Sequence, residues 1–110
     1  MKIAKLDQMI GGWFIGDFEP NIVRTKDFEV GIKYYKRGDK EPLHVHKIGS
    51  EITVIESGKV IMMDTVINAG EIIMLSPGDA TSFEALEDTT TIVIKFPSVI
   101  GDKYILEKDA

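Results

Sequence analysis

The sequence predicts an all-β protein, a sandwich or barrel built from many short strands. Short runs rich in β-branched and aromatic residues alternate with turn signals made of Gly, Pro, Asn and Asp. No segment repeats its apolar residues with the sustained spacing of an amphipathic helix. The chain has 110 residues, without a low-complexity segment or an evident linker. Residues 1–110 are therefore expected to form one domain around one core.

Six strands are predicted from these runs, in order at residues 28–35, 52–56, 59–63, 71–75, 81–85 and 90–96. Ser57-Gly58 lies between the second and third runs and predicts a tight hairpin. Asn68-Ala69-Gly70 and Ser76-Pro77-Gly78-Asp79 predict the turns on either side of the fourth run. Glu87-Asp88 marks the turn before the last strand, and Pro97 ends it. Gly49, Gly58, Gly70 and Gly78 are interpreted as turn residues.

Two of the predicted strands are apolar on both faces. In residues 60–63 and again in residues 72–75, every position carries Val, Ile, Leu or Met. A sheet with one solvated face would alternate polar and apolar side chains. The outer face must therefore be covered, either by the N-terminal segment (residues 1–25, apolar around Ile10, Trp13, Phe14 and Ile15) or by a second subunit. A homodimer is the favoured hypothesis, because a chain of this size has little surface to spare.

Composition excludes several classes of function. The formal net charge is −5 and the pI is about 5.0, so DNA or RNA is not expected as a partner. No apolar run approaches the length of a membrane span, and no secretory signal pattern is present. The chain has no cysteine, which excludes disulfides, thiolate-bound zinc and a cysteine nucleophile. These facts fit a cytoplasmic location.

The only two histidines lie two positions apart, at His44 and His46, and Glu51 follows five residues later. In a strand, residues two apart point to the same face. The odd offset would place Glu51 on the opposite face of a continuous strand, so a turn or bulge within residues 47–50, which contain Gly49, is expected to restore its direction. Two neutral imidazoles and one carboxylate form the ligand set of a mononuclear metal site with open positions. Hydrogen-bonded histidines without a metal are the alternative.

The spacing resembles the first motif of the cupins. Gly38, His44, His46, Glu51 and Gly58 fill every defined position of that motif. Residues 70–85 resemble the second motif, with Gly70 at its start and Pro77-Gly78 within it. The family commonly has a fourth metal-binding histidine where this chain has Thr81, and an asparagine where it has Ala85. The resemblance covers about the middle half of the chain.

The resemblance implies a small antiparallel jelly-roll barrel with His44, His46 and Glu51 as ligands of a divalent transition metal (Fe, Mn, Zn or Ni). Because threonine is a poor ligand for such a metal, Thr81 implies either a site with three protein ligands or a site with weakened affinity. The resemblance also implies a metal-dependent enzyme, of oxygenase or isomerase type, acting on a small oxygen-rich molecule. The alternatives are a binding module for a sugar or small acid without turnover, or a structural cupin with a vestigial site. No residue stands out as a general base, so the catalytic residues are not assigned.

Four further residues are possible pocket residues: Thr81, Tyr34, Lys33 and Lys95. Thr81 is interpreted mainly as a strand former at the barrel mouth, and secondarily as a hydrogen-bond donor to a bound water or substrate. Lys33 and Lys95 are expected to be solvated; if both faced the cavity, they would favour an anionic ligand. Either Tyr34 or Tyr35 should point inward, because they alternate. The charged residues 102–110 are expected to form a solvated end.

Overall fold

The structure is a computed structural model that describes residues 1–106. Two short 3₁₀ turns, Leu6–Gln8 and Ile10–Gly12, precede the strands. Ten strands follow: β1 Trp13–Ile15, β2 Glu29–Tyr35, β3 Lys40–Val45, β4 Ser50–Ser57, β5 Lys59–Met62, β6 Thr65–Asn68, β7 Ile72–Leu75, β8 Ala80–Ala85, β9 Thr89–Phe96 and β10 Tyr104–Ile105. Among residues 1–106, no helix has the length and apolarity needed to cross a membrane.

The strands form two five-stranded sheets. The first has the order β1-β2-β9-β4-β7 and the second the order β10-β3-β8-β5-β6. Neighbouring strands within each sheet run antiparallel. Consecutive strands such as β3 and β4 lie in different sheets, so the chain repeatedly crosses from one sheet to the other. This arrangement confirms the prediction of an all-β jelly roll.

All six predicted strands are present, with bounds shifted by one or two residues. The predicted hairpin between β4 and β5 is wrong, because the two strands lie in different sheets and do not pair. Gly58, at a φ of 90°, instead forms the turn by which the chain passes from one sheet to the other. A Cβ at this position would lie 2.3 Å from the Thr89 hydroxyl oxygen, so only glycine fits the turn. The prediction omitted four strands: β3, of six residues, and β1, β6 and β10, which are two to four residues long. The three short strands carry too few residues to show a periodic pattern, and Pro42 within β3 weakens the strand signal there.

The hydrophobic core occupies one end of the space between the sheets. It is formed by six buried side chains: Ile55, Val60, Met62, Ile67, Phe83 and Ala85. Tyr35, Ile73 and Leu75 pack against this cluster. The inward positions of β4 and β8 continue beyond the core towards the other end, where their side chains become polar. A cavity lined by these polar side chains lies next to the core.

The N-terminal segment joins the first sheet as β1. It does not cover the apolar outer face of β7, which the sequence predicted to be covered. Trp13 pairs with Gly31 at the edge of β2, far in sheet order from β7. On β7, Ile72 and Met74 are 66% and 58% exposed. No segment within residues 1–106 therefore covers this face of the edge strand.

Candidate functional site

A cavity of about 170 Å³ opens between the two sheets, beside the core. Polar side chains reach it from both sheets: His44 from β3, Glu51 and Thr53 from β4, Thr81 from β8 and Thr91 from β9. The remaining lining residues are Trp13, Lys33, Tyr35, Glu41, His46, Met62, Phe83, Val93, Lys95 and Lys103. The three residues of the predicted metal set therefore line one cavity, together with Thr81, Lys33 and Lys95.

His44 is held in a defined orientation by the backbone of its own strand. Its side chain is buried, with 4% of the residue exposed. Nδ1 lies 2.8 Å from the carbonyl oxygen of Pro42. Because a carbonyl only accepts hydrogen bonds, Nδ1 carries a proton, and in the neutral tautomer the lone pair is therefore on Nε2. A histidine prepared in this way is suited to bind a metal through Nε2.

His46 lies just beyond the end of β3 and is equally buried, at 6% exposed. Its ring stands nearly perpendicular to that of His44, with centroids 5.4 Å apart. Burial lowers the pKa of His46 to about 4, and the nearby Lys95 and His44 contribute to the same shift. The imidazole is therefore neutral at pH 7, which is the form that binds metals.

Glu51 reaches the cavity from the opposite sheet. Burial raises the pKa of its carboxyl group, while the nearby Lys95 and His44 oppose that shift. Lys95 is its cross-strand partner on β9. A second carboxylate, that of Glu41, also lines the cavity but forms an ion pair with Lys103 at 3.8 Å. Of the two cavity carboxylates, Glu51 is thus the one without an ion-pair partner among residues 1–106.

The loop between His46 and β4 allows Glu51 to face the cavity, as the spacing predicted. The chain bends at residues 47–48, and β4 begins at Ser50. The bend does not use a left-handed glycine, because Gly49 is not among the residues with positive φ. The buried carboxylate of Asp102 instead accepts hydrogen bonds from the N–H groups of Lys47, Ile48 and Gly49. The expectation that residues 102–110 form a solvated end is therefore wrong at Asp102; residues 107–110 lie outside the described part.

Thr81 lies directly across the β3–β8 pair from His44. It is 2% exposed, and its hydroxyl donates a 2.9 Å hydrogen bond to the carbonyl oxygen of Ser82. A longer side chain at this position would start beside the His44 imidazole. The residue thus occupies the place that the motif comparison assigned to a fourth ligand, but its hydroxyl is engaged with the backbone.

The structure distinguishes between the two tyrosines. Tyr34 is 69% exposed, on the outer face of β2, so its assignment as a pocket residue is corrected. Tyr35 lines the cavity and packs against Phe83, with ring centroids 4.5 Å apart. Burial raises the pKa of the Tyr35 phenol well above its usual value. Tyr35 is therefore the tyrosine that faces the cavity, and its phenol is protonated at neutral pH.

Lys33 and Lys95 face the cavity and are half-buried, so the expectation that they are solvated is wrong. Their Nζ atoms lie 5.3 Å and 5.0 Å from the centre of the Trp13 ring. Burial lowers the pKa of Lys33, and the charges of Lys95 and Lys103 contribute to that shift. Three lysines and two glutamates line the cavity, in a chain whose overall charge is negative.

The donor atoms of the predicted metal set are chemically suitable but not gathered around one point. Within residues 1–106, no three His, Cys, Asp or Glu side chains lie close enough together to hold a metal ion. Two imidazoles and a carboxylate on one cavity nevertheless match the ligand types of a transition-metal site. Binding would require a side-chain rearrangement, which a glutamate with three flexible torsions can supply.

Comparison with solved structures identifies the architecture. The chain is similar to an RmlC-like cupin from Shewanella frigidimarina, with 14% identity, a TM-score of 0.64, and coverage of 69% of this chain and 71% of the other. It is also similar to an uncharacterised Klebsiella pneumoniae protein with a double-stranded β-helix domain (23% identity, TM-score 0.70, coverage of 76% and 74%). This chain has the cupin fold.

A third similar structure is the oxalate decarboxylase of Bacillus subtilis, a protein with Mn(II) centres. Identity is 18% and the TM-score is 0.63, over 74% of this chain and 25% of the decarboxylase. No protein-family model and no curated protein matched the sequence. At these identities the comparisons establish the fold alone.

Several residues of the cupin cavity were not predicted as site residues from the sequence. Trp13, Glu41, Thr53, Thr91 and Lys103 line it. Trp13 lies on a three-residue edge strand, and Lys103 lies beyond the last predicted strand. On β4, Thr53 is two positions from Glu51, and on β9, Thr91 is four positions from Lys95. Each threonine therefore lies on the same strand face as a predicted site residue, and strand alternation would have found both.

Proposed function

We propose that this cupin binds a divalent transition metal through His44, His46 and Glu51 and uses it to hold a small oxygen-rich molecule in the cavity. The observation that carries this proposal is the state of the histidine pair. Both rings are buried on one cavity, His46 is neutral, and His44 donates its Nδ1 proton to Pro42, which leaves Nε2 free to bind. An occupied site would explain why the chain's only two histidines are buried together.

Glu51 is the third ligand in this proposal because the other cavity carboxylate, Glu41, is paired with Lys103. A buried carboxylate without a cation is unfavourable, as the raised pKa of Glu51 indicates. A metal ion would offset that desolvation. Thr81 would leave more of the coordination sphere open to water or ligand than a fourth histidine would.

When bound, such a metal would act as a Lewis acid towards a chelating oxygen. Around it, this chain's own residues bind and orient the ligand. Phe83, Val93 and Met62 supply an apolar wall, while the Tyr35 phenol remains a hydrogen-bond donor at neutral pH. We propose an isomerase- or oxygenase-type reaction. Binding of a small acid without turnover is the second candidate, favoured by the lysines that line the cavity.

Metal content tests the proposal. The purified protein would be treated with chelator, incubated separately with Fe(II), Mn(II), Zn(II) or Ni(II), desalted and analysed for metal. We expect about one ion per chain with at least one metal, as for a single three-ligand site. His46→Ala and Glu51→Ala should lose it. Glu56→Ala, an exposed change on the other face of the same strand, should retain it. Wild-type protein holding less than about one-tenth of an ion per chain with all four metals would refute metal binding.

The exposed apolar face of β7 supports a further part of the proposal, a homodimer. Ile72 and Met74 are exposed on an edge strand, which is a surface that natural proteins normally cover. A second copy would bury them. Sedimentation should give twice the mass of one chain, and Met74→Lys should shift the equilibrium towards the monomer. A wild-type mass of one chain would contradict the dimer.

A further inference from the structure

Two lysine side chains in the cavity lack a carboxylate partner. Lys33 and Lys95 are half-buried, and among residues 1–106 neither has a carboxylate oxygen within 4.0 Å. The third cavity lysine, Lys103, is paired with Glu41. Partial burial of an ammonium group without an ion-pair partner is unfavourable. At Lys33 the more distant carboxylates of Glu41 and Glu51 offset this cost only in part, because the pKa of the lysine remains lowered. Two such groups lining one small cavity therefore favour the binding of a negatively charged group.

The fold brings the two lysines together around a single aromatic ring. Trp13 on β1 pairs with Gly31 on β2, and a Cβ at Gly31 would lie only 2.7 Å from the indole ring. The absence of a side chain at Gly31 thus lets the indole ring pack directly against the backbone of β2. Lys33 follows Gly31 by two residues, and Lys95 follows Val93, the cross-strand partner of Gly31, by two residues. Both lysines consequently project from the same face as the ring.

The carboxylates next to Lys95 in the sheet do not form an ion pair with it, so its ammonium group can bind a ligand. Glu29 and Glu51 are the cross-strand partners of Lys95 on its two sides. The Glu29 carboxylate instead accepts a 2.8 Å hydrogen bond from the hydroxyl of Ser98, and it does not line the cavity. Glu51 lines the cavity without approaching Lys95 to ion-pair distance. The Trp13 face stabilises both cations by cation–π attraction without neutralising them.

We propose that Lys33, Lys95 and the face of Trp13 form a binding site for the carboxylate group of a small organic acid. The cavity volume of about 170 Å³ restricts the ligand to a small molecule. Two ammonium groups supply up to six N–H donors, and charge-assisted hydrogen bonds to an oxyanion are among the strongest available. This inference deepens the proposed function by naming its ligand class. The anion site itself is built without the metal ligands, so it can be tested in metal-free protein.

The only tryptophan of the chain reports directly on this site. Chelator-treated protein would be titrated with malonate while Trp13 emission is followed, and calorimetry would give the dissociation constant independently of the fluorophore. Malonamide, which has a similar shape but no charge, serves as the ligand control. Inorganic phosphate tests whether the site prefers another small oxyanion. We expect a saturable response to malonate and none to malonamide.

Variants then test the two lysines. Lys33→Gln and Lys95→Gln should each raise the malonate dissociation constant about tenfold or more, as expected for loss of one charge-assisted hydrogen bond. Lys33→Arg and Lys95→Arg keep the charge and should retain most of the affinity, which separates lost charge from a damaged fold. Lys36→Gln, an exposed lysine on the same chain segment, is the matched control and should bind as wild type.

Each outcome has a defined meaning. No saturable response to malonate in the wild type, or an equal response to malonamide, would overturn the inference, as would Lys33→Gln and Lys95→Gln proteins that titrate like wild type. A response to phosphate alone would overturn the carboxylate assignment. Malonate binding by a protein that fails to take up any metal would support the anion site while refuting the metal proposal, so the two proposals fail independently.

Discussion

The carboxylate of Asp102 accepts a 2.7 Å hydrogen bond from the backbone N–H of Gly49, 53 residues earlier in the chain. The same carboxylate accepts hydrogen bonds from Lys47, at 2.9 Å, and from Ile48. These three N–H groups belong to the loop that separates His46 from Glu51. One buried side chain near the C-terminus thus stabilises the bend that lets Glu51 face the same cavity as the histidines.

Removal of this carboxylate should destabilise the protein. Asp102→Ala would leave the loop N–H groups without their acceptor, so we expect the free energy of unfolding to fall by about 2–4 kcal/mol. Urea denaturation measures the change. Asp79→Ala is the matched control, because the Asp79 carboxylate accepts one hydrogen bond, from the N–H of Ser76, in an exposed turn. Its expected loss is about 1 kcal/mol or less. Equal losses in the two variants would contradict the role given to Asp102.

The pH dependence of that difference gives a second check. Burial alone would raise the pKa of Asp102, but the hydrogen bonds from Gly49, Lys47 and Ile48 outweigh it and hold the pKa below its ordinary value of 3.8. A lowered pKa means that the stabilisation is fully present above pH 3.8 and is lost as the pH falls through the folded-state pKa. The gap between wild type and Asp102→Ala should therefore shrink in strong acid. A gap that is constant down to pH 2 would argue against this account.

Local patterns predicted the strands, and long-range contacts account for what was missed. The run at residues 90–96 and the Ser57-Gly58 turn depend on neighbouring residues, so the sequence revealed them. Asp102 resembled part of a solvated tail because its partners are more than 50 residues away. Lys33 and Lys95 resembled surface lysines for the same reason: what orients them is Trp13, on a three-residue strand that has no detectable pattern. The histidine pair was found because its ligand spacing is local.

A fourth ligand can be supplied at Thr81, because it faces His44 across the β3–β8 pair. If His44, His46 and Glu51 hold a metal, Thr81→His should raise the affinity for Zn(II) at least tenfold, since imidazole is a far better ligand than a hydroxyl group. Competition with a chromogenic chelator measures this affinity. Ser82→His places the new imidazole on the opposite face of the strand and should leave the affinity unchanged. Equal gains in the two variants would show that the added histidine, and not its position, was responsible.

Two buried threonines on β9 are expected to respond oppositely to valine. Among residues 1–106, the Thr91 hydroxyl is the one buried side-chain polar atom without a hydrogen-bond partner. The Thr89 hydroxyl donates to the carbonyl oxygen of Glu87 at 2.9 Å. Thr91→Val should therefore stabilise the protein by about 1 kcal/mol, and Thr89→Val should destabilise it by about the same amount. Thermal unfolding measures both. A loss of stability in Thr91→Val would mean that its hydroxyl has a partner in solution.

The lowered pKa of His46 predicts a stability change between pH 6.5 and pH 4. In this window the unfolded chain binds a proton at His46 that the folded protein does not, because the folded-state pKa is about 4 against an ordinary 6.5. Stability should therefore be fully present above pH 6.5 and fall as the pH drops, by at most about 1.4 kcal/mol per pH unit for one proton. Urea denaturation of metal-free protein at several pH values measures this slope.

His46→Gln isolates the contribution, since glutamine does not titrate. Glu51 acts in the opposite sense: burial raises its pKa above 4.5, so its contribution is present at low pH and is lost as the pH rises through the folded-state value. Because Glu51 is common to both proteins, the difference between wild type and His46→Gln should retain mainly the histidine slope. Parallel stability curves for the two proteins between pH 6.5 and pH 4 would contradict a buried, neutral His46, and would also remove the main support for the proposed metal site.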